Sequence, residues 1–83
     1  MAERQRLTAG LRQLGLEVPP SHANFVWLPL GEGSSEFAAA CSRAGVSVRC
    51  FAGEGVRVTV GLAEENRAVL EAATAYVRGA VSG

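Results

Sequence analysis

The chain has no lysine and no aspartate: its eight cations are all arginine and its eight acids all glutamate. With its many alanines and glycines, that makeup fits a GC-rich coding bias. It also excludes, within these 83 residues, any chemistry that needs a lysine amine. Neither charge sign is in excess, so nothing favours electrostatic affinity for nucleic acid or anionic membranes. Two cysteines are too few for a disulfide framework, and His22 with distant Cys41 and Cys50 makes no zinc site; no metal is expected. No apolar run approaches membrane-spanning length, and "MAERQRLTAG" lacks the apolar region of a leader, so a reduced, cytoplasmic chain is expected. The length predicts a single small domain over 1–83, and the 48% hydrophobic content argues against disorder.

Hydrophobic periodicity supplies the elements. Leu7, Leu11 and Leu14 fall at helical spacing, predicting a helix over 3–14 that stops at Gly15 before Pro19-Pro20. "ANFVWLPL" is continuously apolar and reads as a strand over about 24–28, buried on both faces. A second helix is predicted over 35–44, with Ser34 as N-cap, Phe37, Ala40, Cys41 and Ala44 inward, and Gly45 just past its end. "VSVRCF" and "GVRVTV" alternate with period two and form a hairpin joined through "AGEG". The last helix is predicted over 63–79, with Leu62, Asn66, Val69, Leu70, Ala73 and Val77 on one side. The order is α-β-α-β-β-α. It predicts an α+β fold whose three-stranded antiparallel sheet, in spatial order 1-3-2, is covered by helices. The most buried residues are expected among Leu7, Leu11, Phe37, Cys41, Val48, Val58, Val69, Leu70 and Ala73.

The hairpin carries the one chemical anomaly. Val46, Val48 and Cys50 share a face, as do Val56, Val58 and Val60, and these faces must turn toward the helices. Cys41 and Cys50 therefore read as small inward residues, not reactive thiols. Arg49 and Arg57 fall on the opposite face. The shortest register that keeps this parity sets Arg49 across from Arg57, and the next sets it across from Thr59. Like charges opposed on a sheet are destabilising. The arginines either splay into solvent, pair with Glu54, or await an anion that a rigid guanidinium fork can grip. Gly53 and Gly55 precede a strand, not a helix, and so do not form a phosphate-cradling loop.

"PSHANFVWLPL", "AGVSVRCF" and "GEGVRVTVGLAEEN", in that order, resemble the C-terminal end of histidinol-phosphate and aromatic amino acid (phenylalanine-type) aminotransferases. Both are in the class I/II, fold-type I pyridoxal-phosphate family. The resemblance runs from the first helix to about residue 78. It implies a small domain that closes over an active site built by a large domain, which is missing from this chain. It places the family's substrate carboxylate- or phosphate-gripping arginine on Arg57. Arg49 then assists with a substrate phosphate, and Asn24 is mainly structural. The implied substrates are an amino acid and a 2-oxo acid, with 2-oxoglutarate and glutamate as the acceptor pair, and the implied parent is a homodimer.

Three departures from that pattern stand out. Cys50 replaces a frequent proline, Leu62 replaces a capping Thr or Ser so that Gly61 is left as a weaker cap, and His22 replaces Gln or Glu. An enzyme of this family holds pyridoxal phosphate on a lysine and pairs its pyridinium with an aspartate. The chain has neither, so it is expected to bind no cofactor covalently, to be inactive alone, and to be the C-terminal portion of a longer enzyme. A different class fits the element order as well: a small ferredoxin-like regulatory module binding an amino acid at a dimer interface.

Overall fold

The computed structural model describes residues 3–20 and 24–82; His22 lies outside the described residues. Helix α1 (Glu3–Gln13) buries Leu7 and Leu11, one helical turn apart, completely. Helix α2 (Ser34–Arg43) buries Phe37, Ala40 and Cys41. Both helices end in the same way. Gly45 adopts φ +82° and donates to Ser42 O, while Val46 N–H bonds to Cys41 O at 2.8 Å. Gly15 and Leu16 repeat the pattern on Arg12 O and Leu11 O. This is the paired closure that a glycine just past a helix permits.

The start of α2 differs from expectation. A 3-10 turn (Gly31–Gly33) runs straight into the helix, and the cap position is Gly33, which offers no side-chain acceptor. Ser34 instead lies inside the helix, fully buried, and its hydroxyl donates to Gly31 O at 2.7 Å.

Strands β1 (Phe25–Leu28), β2 (Arg49–Phe51) and β3 (Gly55–Thr59) form an antiparallel sheet in the order β1-β3-β2, as predicted. Helix α3 (Ala63–Ser82) packs on both α1 and α2. The helices cover one side of the sheet. Val26 and Leu28 of β1 and Val56 and Val58 of β3 meet them there, each at most 1% exposed. Val18, Ala72 and the predicted Leu7, Leu11, Phe37, Cys41, Val58, Val69 and Ala73 complete the core.

Three expectations are corrected by the structure. Strand β1 is buried on one face only, its Phe25 and Trp27 being half-buried on the other. Val48 and Leu70 are half-buried as well. Strand β2 begins at Arg49, not Val46. The closure of α2 has already committed the Val46 donor to Cys41 O, so the chain leaves the helix before it can pair with β3.

Leu62, expected inward, is 66% exposed. It caps α3 through its backbone: its carbonyl accepts Asn66 N–H, and Glu65 Oε1 accepts its N–H at 2.9 Å, half of a capping box. The expected weak cap at Gly61 is therefore not what starts the helix. Asn66, 4% exposed, accepts Gly61 N–H and donates to Gly61 O, both at 3.0 Å, and donates to Glu3 Oε1 at 3.2 Å. One carboxamide thus ties the end of β3 to α3 and to the start of α1.

Candidate functional site

The sheet face without helices gathers Phe25 and Trp27 from β1, Arg57 and Thr59 from β3, and Arg49 and Phe51 from β2. Arg57 occupies the centre, directly opposite Trp27 on one side and Arg49 on the other. The shorter of the two registers allowed by strand parity is the one adopted. Among the described residues neither arginine makes an ion pair, and the pairing with Glu54 does not form; Glu54 instead supplies its carbonyl to Gly31 N–H.

Aromatic rings, which the sequence reading did not connect with the arginines, organise this face. The Arg57 guanidinium carbon lies 5.5 Å from the centre of the Phe25 ring, within range of a cation–π contact. Trp27 meets Phe51 edge-on, with centroids 5.6 Å apart. The Trp27 indole also lies over Gly55, where a side chain would collide with it. Arg57 is accordingly half-buried while Arg49, on the edge strand, is exposed. Strand parity could have revealed the grouping, because Val26 and Leu28 inward require Phe25 and Trp27 outward.

Asn24 acts through its backbone, its carbonyl accepting Val60 N–H at 3.0 Å to extend the pairing of β1 with β3; its side chain is exposed. A separate groove of about 610 Å³ opens where β2 stops short, between Val46, Thr59 and Leu62. Glu64 and Glu65 border it and no arginine does, so its charge is opposite to that of the sheet face. Among the described residues no cluster of three or more His, Cys, Asp and Glu could hold a metal, and no helix is long and apolar enough to cross a membrane.

The two cysteines differ. Cys41 is fully buried, and desolvation pushes its thiol up to about 11 from 9.0. Cys50 turns to the helical side with Ser35 Oγ 4.0 Å away, but the edge strand is too short to cover it, and it is exposed, not inward. A thiol–disulfide reagent at neutral pH is expected to modify Cys50 readily and Cys41 only after denaturation. Burial keeps Cys41 protonated in the fold while the unfolded chain ionises near 9.0. Stability is therefore full below that pH and declines as pH rises toward 11, by roughly 2–3 kcal/mol. Alkaline unfolding curves of the parent and of Cys41→Ala check this, since the substitution removes that part of the slope.

No family model matches the chain. Curated relatives do. The chain is 64% identical over 66 residues to an aromatic amino acid aminotransferase of Streptomyces avermitilis, which covers 80% of this chain and 18% of that protein. It is 55% identical over 74 residues to the enzyme of the same name from Thermobifida fusca, covering 89% and 21%. Against that of Mycobacteroides abscessus it is 54% identical over 76 residues, covering 92% and 22%. A crystal structure of a presumed aminotransferase from Burkholderia pseudomallei superimposes with a TM-score of 0.79 at 26% identity, over 90% of this chain and 24% of that one. The chain thus spans about one-fifth of the length of the curated relatives it matches, and it is homologous to that segment of the aromatic amino acid aminotransferases.

Proposed function

We propose that this chain is the substrate-gripping small domain of a pyridoxal-phosphate-dependent aminotransferase. Arg57 holds the carboxylate or phosphate of the amino donor, an aromatic amino acid or histidinol phosphate, with 2-oxoglutarate as acceptor. The observation that carries this reading is Arg57 itself: a half-buried arginine, free of any carboxylate partner among the described residues, on the one sheet face that no helix covers. A fork of donors held in that way suits bidentate recognition of an oxyanion. Arg49, directly across the strand, adds a second positive charge for a doubly charged group.

The residues of this chain do not fit the cofactor. With no lysine there is no side-chain amine for a Schiff base, and with no aspartate there is no carboxylate of the usual kind for a pyridinium. Cofactor attachment therefore falls to residues outside these 83, and this chain contributes substrate binding and the closing of one wall. In the homodimeric, cytoplasmic enzyme that this reading implies, a large domain supplies the rest.

A chimera tests the assignment. This sequence replaces the matching segment of the Streptomyces avermitilis relative, and transamination is followed with L-phenylalanine and with histidinol phosphate. The chimera is expected to use at least one donor, to lose that activity with Arg57→Ala, and to retain its fold by circular dichroism. The free chain incubated with the cofactor and borohydride is expected to gain no stoichiometric internal adduct. A folded chimera that keeps full efficiency with Arg57→Ala rejects the anion grip.

A further inference from the structure

Arg57 is surrounded by reasons to move. Arg49 faces it across the strand pair, no carboxylate neutralises it among the described residues, and a long flexible stem favours splaying into water. It nevertheless lies folded back over β1. Phe25 pairs with Thr59, one step along the same face from the Trp27–Arg57 pair, which puts its ring diagonally beside Arg57. From there the ring's negative face meets the guanidinium at 5.5 Å. Trp27 cannot perform this role in the same way, because its indole is committed to Phe51 and to the space above Gly55.

We infer that Phe25 is a positioning residue: its ring holds the Arg57 guanidinium over β1, against repulsion from Arg49, so that the fork is preset for a substrate oxyanion. This rests on the reading of Arg57 as the anion grip. A preset fork loses less freedom when it binds, so the ring's contribution is to affinity. A cation–π contact uses the guanidinium's charge and leaves N–H donors for the bidentate grip of a carboxylate or phosphate. The attraction is electrostatic and follows the charge on the ring face; simple packing follows size alone.

That difference supplies the test. In the chimera described above, Phe25 is replaced by phenylalanines bearing one, three and five ring fluorines, which drain the negative face with little change of shape. The KM for each donor that the chimera uses, L-phenylalanine or histidinol phosphate, is expected to climb through the series, reaching about 3- to 10-fold with five fluorines, while kcat stays within about twofold. Phe25→Tyr keeps the parental KM. Thermal unfolding monitors each variant, and the one- and three-fluorine members carry the trend should the last one fold poorly. In the 83-residue chain, the Arg57 side-chain NMR signals are expected to show an upfield ring-current shift that Phe25→Leu removes. A flat KM series in a chimera that still depends on Arg57 overturns the positioning role alone. A chimera indifferent to Arg57→Ala overturns the anion grip beneath it.

Discussion

Replacing Arg57 by lysine in the chimera is expected to lower kcat/KM by about 30- to 1000-fold, equivalent to roughly 2–4 kcal/mol of transition-state stabilisation. The charge survives, so the size of the loss measures what the fork contributes. A guanidinium gives two parallel donors to one oxyanion, whereas an ammonium offers a point charge on a freely rotating stem. Position 57 penalises that loss of shape further, because the guanidinium that lies over the Phe25 ring disappears with it. Folding is expected to survive, since Arg57 points away from the helices and forms no ion pair among the described residues. Arg49→Lys should cost much less with L-phenylalanine, because Arg49 is exposed on the edge strand. With histidinol phosphate the two substitutions should converge, as a doubly charged group recruits both cations. Steady-state kinetics of both variants with both donors check this. An Arg57→Lys chimera of near-parental efficiency with both donors leaves the arginine a solvated strand charge.

The sequence made the centre of this arrangement legible because strand parity is a strict rule. Valines at 56 and 58 must face the helices, so Arg57 must face away, and parity puts Arg49 on the same face, in either of two registers of which the shorter is adopted. The strand order follows from similar reasoning about connection length. What the pattern did not reveal depends on where backbone donors are spent. The six-residue alternation from Val46 promised a full strand, but the helix closure at Gly45 takes the Val46 N–H first, and pairing starts three residues later. The cap of α3 was misplaced for the same kind of reason. Leu62 looks unable to cap, yet Glu65 reaches back to its N–H and Asn66 locks Gly61, contacts that no single position announces. Burial of β1 on both faces, and with it of Phe25 and Trp27, is what a continuous apolar run suggests, because such a run does not say which face lacks a cover. In the structure they instead form the apolar ground over which Arg57 lies.

Gly55→Ala is expected to destabilise the chain by about 3 kcal/mol or more, a large part of what so small a domain can hold. A Cβ built on Gly55 would lie 2.5 Å from the Leu28 carbonyl oxygen and 2.5 Å from Trp27 Cζ2. Two obstacles of different character therefore meet at one atom. The carbonyl belongs to the backbone of β1, whose Leu28 is paired with Val56, the next residue of β3, so it cannot retreat without opening the sheet. The indole could swing, but only by leaving Phe51 and exposing its own ring. At about 4–8 °C per kcal/mol for a domain of this size, the thermal midpoint is expected to fall by roughly 12–24 °C. Gly53→Ala is the matched control. Gly53 sits in the same hairpin loop at φ +80° with nothing within 4 Å of a built Cβ, so its cost is confined to backbone strain of about 1–2 kcal/mol. Adding Trp27→Ala to Gly55→Ala then separates the two obstacles. If the indole is the chief obstacle, the double variant loses less than the sum of the two single losses. If the Leu28 carbonyl is, the penalties add. A Gly55→Ala chain that melts with the Gly53→Ala control would mean that β1 and β3 part easily at this end, and that the spacing of the sheet beneath Arg57 is set by something other than the missing side chain.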